Sequence, residues 1–150
     1  MNLGVYFKSI GVADHINEAI ENVNEGIEEG LLTDASLFYD AIGPTEKPPK
    51  FGMFNSTDIW AFTGNLITTC TETTAICSNI VNKFKLFFYY NPTRERNTLA
   101  LIDSLCDENV KVICASEEDS KELFRITGKK PVAVVEKFNI KDIIKAVNNE

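Results

Sequence analysis

The run Lys85-Leu86-Phe87-Phe88-Tyr89-Tyr90 constrains the fold more than any other segment. Successive side chains of a strand point to opposite sides of a sheet, and this run is apolar or aromatic on both. A strand that avoids water on both faces belongs in a sheet covered on both faces. That arrangement is the habit of parallel sheets, whose crossover helices pack above and below.

The rest of the chain supplies such connections. Leu3 to Phe7 reads as a first strand. Apolar residues at Val12, Ile16, Ala19, Ile20, Val23 and Ile27 then recur at helical spacing within Val12 to Glu29, with Gly30 at the stop. Ala35 to Tyr39 is a second strand. Gly43-Pro44-Thr45-Glu46-Lys47-Pro48-Pro49 reads as a surface loop, which makes the first third the least regular part. Phe51 to Phe54 is a short strand, and Thr57 caps one or two helical turns through Trp60 and Phe62 that end at Gly64. Leu66 to Cys70 is apolar and β-branched. Thr71 to Lys83 follows as a helix whose inner face carries Ala75, Ile76, Ile80 and Val81.

Beyond the opening strand, Asn97 to Leu105 is a helix and Val110 to Ala115 a buried strand. Ser116, with Asp119 three residues on, starts a helix through Ile126 that Gly128 stops. Pro131 to Val135 is a last strand and Asn139 caps a helix from Ile140 to Val147. Strands and helices in this alternation predict one α/β domain over residues 1–150. The expected form is a three-layer Rossmann-like domain with a mostly parallel sheet of about six or seven strands.

Charge narrows the partners. With 15 Lys and Arg against 22 Asp and Glu, the net charge is −7. No basic run is long enough to neutralise a phosphate backbone, which argues against nucleic acid as a partner. No stretch of about 18 apolar residues is present to span a bilayer, so no membrane is expected either. The N-terminus lacks the basic-then-apolar signature of a signal peptide, and a cytoplasmic location is expected. Cys70, Cys77, Cys106 and Cys114 form no C-x-x-C pair, and the one histidine is His15. They read as buried, reduced thiols in a reducing compartment, with no metal and no cofactor called for.

Parallel sheets bind ligands beyond the carboxyl ends of their strands, where strand order switches. The candidate positions are therefore Lys8, Ser9 and Gly11; Asp40; Asn55, Ser56 and Asp58; Thr71 and Glu72; Asn91, Arg94 and Arg96; Ser116 and Glu117; and Glu136 and Lys137. The first turn, Lys8-Ser9-Ile10-Gly11-Val12, lacks the three glycines of a dinucleotide fingerprint, and no P-loop or G-x-S-x-G motif occurs. In Asn91-Pro92-Thr93-Arg94-Glu95-Arg96, two arginines at a helix start suit a phosphate or carboxylate. A solvated loop with an internal ion pair to Glu95 accounts for the same residues. Ser116 and the free amides of its helix suit an anion as well as a simple cap. Asp40 or Asp58 would serve as a general base toward a sugar hydroxyl, or stand as a solvated loop carboxylate. Phe54, Trp60 and Phe62 form either an aromatic platform or core. His15 reads as a residue of the helix surface.

Several strings carry a family pattern. They are Phe51-Gly52-Met53-Phe54-Asn55-Ser56-Thr57-Asp58-Ile59-Trp60, Leu66-Ile67-Thr68-Thr69, Lys85 to Tyr90, Val112-Ile113-Cys114-Ala115-Ser116-Glu117-Glu118, Pro131-Val132-Ala133-Val134-Val135-Glu136, and Phe138-Asn139. Together they resemble the glycosyltransferase-like proteins of large tailed phages, whose halves are Rossmann-like domains of the GT-B type. The resemblance implies transfer of a sugar from a nucleotide donor, with the donor on the C-terminal half and the acceptor on the N-terminal half. A chain of 150 residues has room for one half. On this reading a sugar nucleotide or small anionic ligand sits against Gly11, Asn91, Arg94, Arg96 and Ser116, with Asp58 or Asp40 as base. The half would work as a homodimer or with a partner chain, in the host cytoplasm if of phage origin. The alternative is a non-catalytic binding or interaction domain that keeps the fold without a donor site.

Overall fold

A computed structural model describes residues 1–81, 84–95 and 98–150, with Arg94 described by its backbone alone. These residues form one seven-stranded, all-parallel sheet in the order β3-β2-β1-β4-β5-β6-β7. The strands are β1 (Asn2–Ile10), β2 (Asp34–Ile42), β3 (Gly52–Asn55), β4 (Gly64–Thr68), β5 (Phe84–Tyr90), β6 (Val110–Cys114) and β7 (Ala133–Val134). The helices are α1 (Asp14–Glu28), α2 (Thr71–Ser78), α3 (Thr98–Cys106), α4 (Glu117–Thr127) and α5 (Ile140–Asn148). The three-layer Rossmann-like architecture is as expected from the strand and helix alternation.

The order explains the layers. The chain starts in the middle of the sheet, steps outward through β2 to β3, then returns to β4 and proceeds the other way. Crossovers between parallel strands are almost always right-handed, so reversing direction moves the connections to the opposite face. One face accordingly packs Leu3, Val5, Phe7, Leu37, Ile67, Phe87 and Ile113 under α1 and α5. The other packs Tyr6, Phe38, Leu66, Phe88, Val112 and Cys114 under α2, α3, α4 and a 3-10 helix over Ser56–Ala61. Phe87 and Phe88 are adjacent, point to opposite cores and are both fully buried. Burying one such side chain contributes about 1.5–3 kcal/mol.

Between β2 and β3 a loop stands in for a crossover helix. Two buried asparagines of α1 hold it. Asn17 Oδ1 accepts from the Glu46 amide at 3.2 Å, and Asn24 Oδ1 from the Lys50 amide at 2.7 Å. Asn24 Nδ2 donates to the Pro48 carbonyl at 3.3 Å, and ion pairs Lys47–Glu21 and Lys50–Glu28 add to the attachment. The prolines limit what the loop's own backbone can donate, so α1 supplies the partners.

Several boundaries differ from expectation. β1 and β2 each run nine residues, so irregularity in the first third is confined to this loop. Asn55, not Thr57, caps the 3-10 helix, its Oδ1 accepting from the Thr57 amide at 3.1 Å. Gly64 does not end that helix but opens β4 at φ 134, where a Cβ would lie 2.7 Å from the Asn2 carbonyl oxygen. α2 stops at Ser78, and its inner face is Thr71, Thr73, Thr74 and Cys77. Ile76 is 51% exposed and Val81 99%. The threonines pass as core because their hydroxyls are satisfied locally: Thr73 and Thr74 each donate to the Cys70 carbonyl, and Thr68 and Thr74 Oγ1 lie 2.6 Å apart. β7 is shorter than Pro131 to Val135. Of the three aromatics, Phe62 is core, edge-on to Phe38 at 5.3 Å, while Phe54 is exposed and Trp60 is 65% exposed. Among the described residues the cysteines are free. Cys77 and Cys114 are buried, Cys70 is half-buried, and Cys106 departs from expectation by being exposed.

Candidate functional site

The switch in strand order falls between β1 and β4, whose following helices α1 and α2 leave toward opposite faces. A crevice is expected at the carboxyl ends of these strands. A cavity of about 330 Å³ lies there, on the α1 and α5 side. Phe7 lies on β1, one residue past the pairing of Tyr6 with the last residue of β4. With Tyr89 near the end of β5 and Phe138 beyond β7, it provides the cavity's aromatic surface. Thr69, Asn91 and Ala115 come from the turns after β4, β5 and β6. His15 and Glu18, one turn apart on α1, face it, and Glu136 and Lys137 complete the lining. Ligand pockets typically begin near this size and combine an apolar lining with a few polar groups.

The rim beyond β7 is unusual backbone. Lys137 and Phe138 are consecutive non-glycine residues with φ of 50° and 53°. Left-handed backbone costs a bulky residue of order 1–3 kcal/mol and persists only where the surroundings enforce it. Tyr89 does much of that work. Its hydroxyl donates to the Val135 carbonyl at 2.7 Å and accepts from the Phe138 amide at 3.2 Å, with the two rings 5.1 Å apart. Asn22 Nδ2 donates to the Lys137 carbonyl at 3.2 Å. The residue that forms the aromatic floor of the cavity thus also clamps its rim.

Polar groups elsewhere along this edge bind one another. Thr69 Oγ1 donates to the Tyr6 carbonyl at 2.9 Å and stitches the ends of β4 and β1 together. The Tyr6 hydroxyl donates to Asp40 Oδ1 at 2.7 Å. Burial, and then that hydrogen bond, push the Tyr6 phenol well above its usual range, so it stays protonated. Lys8 is ion-paired with Glu72, which raises the lysine's pKa. Both oxygens of Glu95 accept from the Thr71 amide, each at 3.1 Å, and Glu95 also takes the Thr71 hydroxyl. The N-terminus of α2 is therefore filled by a carboxylate from the β5–α3 connection.

Among the sequence-based candidates that are described, Asn91 lines the cavity. Its Oδ1 is engaged by the amide and hydroxyl of Thr93 at 3.2 and 2.6 Å. Gly11 lies in the half-exposed β1–α1 turn with open space where a Cβ would stand, so no close approach requires a glycine there. Ser116 caps α4, its Oγ accepting from the Asp119 amide at 3.1 Å. Asp40 is held to Tyr6, and Asp58 is exposed in the first turn of the 3-10 helix; neither lines the cavity. Arg96 and the side chain of Arg94 lie outside the described residues.

The sequence-based reading passed over His15, Glu18, Tyr89 and Phe138 as site residues. The available signal was position: His15 and Glu18 share one helical face in the first turns after β1, and that end of α1 faces the carboxyl edge of the sheet. Glu136 and Lys137 were recognised as post-strand positions. The described residues hold no group of three or more His, Cys, Asp or Glu placed to bind a metal. No described helix is long and apolar enough to cross a membrane. No protein-family model matches the chain, and comparisons with curated proteins and with solved structures return no match.

Proposed function

We propose that this chain is a Rossmann-like binding domain that takes a ligand of sugar or nucleoside size in the cavity over β1, β4, β5 and β6. It would act in the manner of one glycosyltransferase-like half and not as a self-contained transferase. The observation that carries the reading is the cavity itself, set at the switch point and closed by the clamped left-handed turn of Lys137 and Phe138. Its chemistry suits a hydroxyl-rich ring. Phe7, Tyr89 and Phe138 offer apolar faces, while Glu18, Glu136 and His15 offer groups that bond hydroxyls. The placement of Asp40 and Asp58 away from the lining favours binding over catalysis by those two carboxylates.

The test is a thermal melt against a panel of sugars, nucleosides and sugar nucleotides. A ligand at 100 times its Kd adds about 2.7 kcal/mol, a rise of several degrees for a domain of this size. Ala115→Leu, which fills the cavity from a half-buried position, is expected to abolish the rise and leave the unliganded melt nearly unchanged. A flat panel, or a shift indifferent to Ala115→Leu, rejects the cavity as the site.

A further inference from the structure

We infer that the ligand seated in this cavity is an uncharged sugar or nucleoside and carries no phosphate beside β4. The inference rests on the cavity being the ligand site and goes further by naming its charge. In a Rossmann-like crevice the natural phosphate position is a helix N-terminus, where free amides and the helix dipole favour an anion. Here the position at α2, two residues beyond the cavity-lining Thr69, is already occupied. Glu95 reaches it from a different connection and takes the Thr71 amide with both oxygens and the Thr71 hydroxyl as well. This is not ordinary capping by the preceding residue, because Glu95 lies 24 positions along the chain.

Among the described residues, the cations near the crevice do not restore the balance. Lys8 is engaged by Glu72. Within the lining Lys137 is accompanied by the carboxylates of Glu18 and Glu136. An adjoining groove of about 720 Å³, sharing those three residues, adds Glu117 and Asp142 to its walls. Among the described residues an incoming phosphate would therefore meet more carboxylates than cations, whereas hydroxyl groups would find acceptors. Such repulsion weakens once salt shortens the Debye length to below about 10 Å.

The experiment compares matched probes on the whole chain by NMR, following the amides of Ala115 and Phe138. The pairs are uridine with uridine monophosphate, and methyl glucoside with glucose 1-phosphate; the two arms distinguish a nucleoside from a sugar. The neutral member of one pair is expected to bind at least about tenfold more tightly at low salt, with the gap closing as salt is added. Glu95→Ala, which frees the Thr71 amide and hydroxyl, is expected to narrow the gap, and Glu95→Gln to narrow it less. A phosphorylated probe that binds as tightly as its neutral partner, or more so, overturns this inference and leaves the cavity reading standing. Silence from both members of both pairs overturns the two together.

Discussion

The two faces of the sheet end differently along the same carboxyl edge. On the α2 side, polar groups find partners within the chain: Tyr6 on Asp40, Glu95 on Thr71, Lys8 on Glu72. On the α1 and α5 side the strand ends leave a hollow, and the Tyr89 hydroxyl there holds backbone that would otherwise relax. Both faces have well-packed cores, so packing does not separate them. What separates them is whether the polar chemistry at the strand ends closes on itself or shapes a space. A site can be recognised by that second behaviour even where no familiar motif is present.

The largest effect is expected from the two tyrosines, taken as a pair. Tyr89→Phe leaves the Val135 carbonyl and the Phe138 amide without their partner in a buried setting, a loss of about 3 kcal/mol. By equilibrium denaturation it is expected to destabilise far more than Tyr6→Phe, whose partner Asp40 is exposed and returns to water at under about 1 kcal/mol. Equal effects from the two would erase the distinction between the faces.

Asn24→Ala sharpens the contrast from the loop side. It removes one acceptor and one donor that hold the β2–β3 loop on α1, and a loss of about 2 kcal/mol is expected. Hydrogen exchange should quicken at the Lys50 amide while the β5 amides stay protected. Protection that is unchanged at Lys50 would mean that the prolines hold the loop without α1.

A smaller effect, of opposite sign, is expected at the rim. Lys137→Gly relieves left-handed backbone and should leave stability unchanged or raised by up to about 1 kcal/mol, the gain being limited by the freer unfolded chain. The same substitution loosens the cavity and should weaken its ligand severalfold. Loss of stability would show that the turn is not strained.

The smallest effect near neutral pH concerns the buried thiols. Burial first, and then nearby acidic groups, push Cys77 and Cys114 up from 9.0 to about 12. Their folded values exceed the unfolded ones, so the stability they contribute is full below about pH 9 and is lost as pH rises through the folded values. The melting temperature is expected to be flat with respect to these groups from pH 7 to 8.5 and to fall above pH 9. At pH 8 a thiol reagent should label exposed Cys106 promptly and spare Cys77 and Cys114. Early labelling of either buried thiol would place its core in motion.

The legible parts of the fold share a cause. β5, the stop of α4 at Gly128 with φ 69, and the caps at Ser116 and Asn139 were all readable because each is set by a few neighbouring residues. The inner face of α2 was misread for a matching reason. Ile76 and Val81 have the right hydrophobicity, yet Thr73 and Thr74 face the core because their hydroxyls bond back to Cys70 and Thr68. The bonds to Cys70 are local to the helix, but the Thr68–Thr74 contact exists only once α2 is docked on β4.

The site was less legible than the fold. Asn91 lines the cavity, but Glu95, read as a loop partner for arginine, is placed on Thr71. His15, read as helix surface, faces the cavity. Local sequence determined the class of the sheet and the helix ends at Ser116, Gly128 and Asn139, since those depend on backbone chemistry within a few residues. Strand order, the hollow at the switch point, the plugged end of α2 and the left-handed turn gripped by Tyr89 were decided only by tertiary structure. The plug and the clamped turn join residues between 24 and 49 positions apart. Strand order and the hollow join residues farther apart still, as where Leu3 of β1 pairs with Asn65 of β4, and no local preference specifies which distant groups will meet.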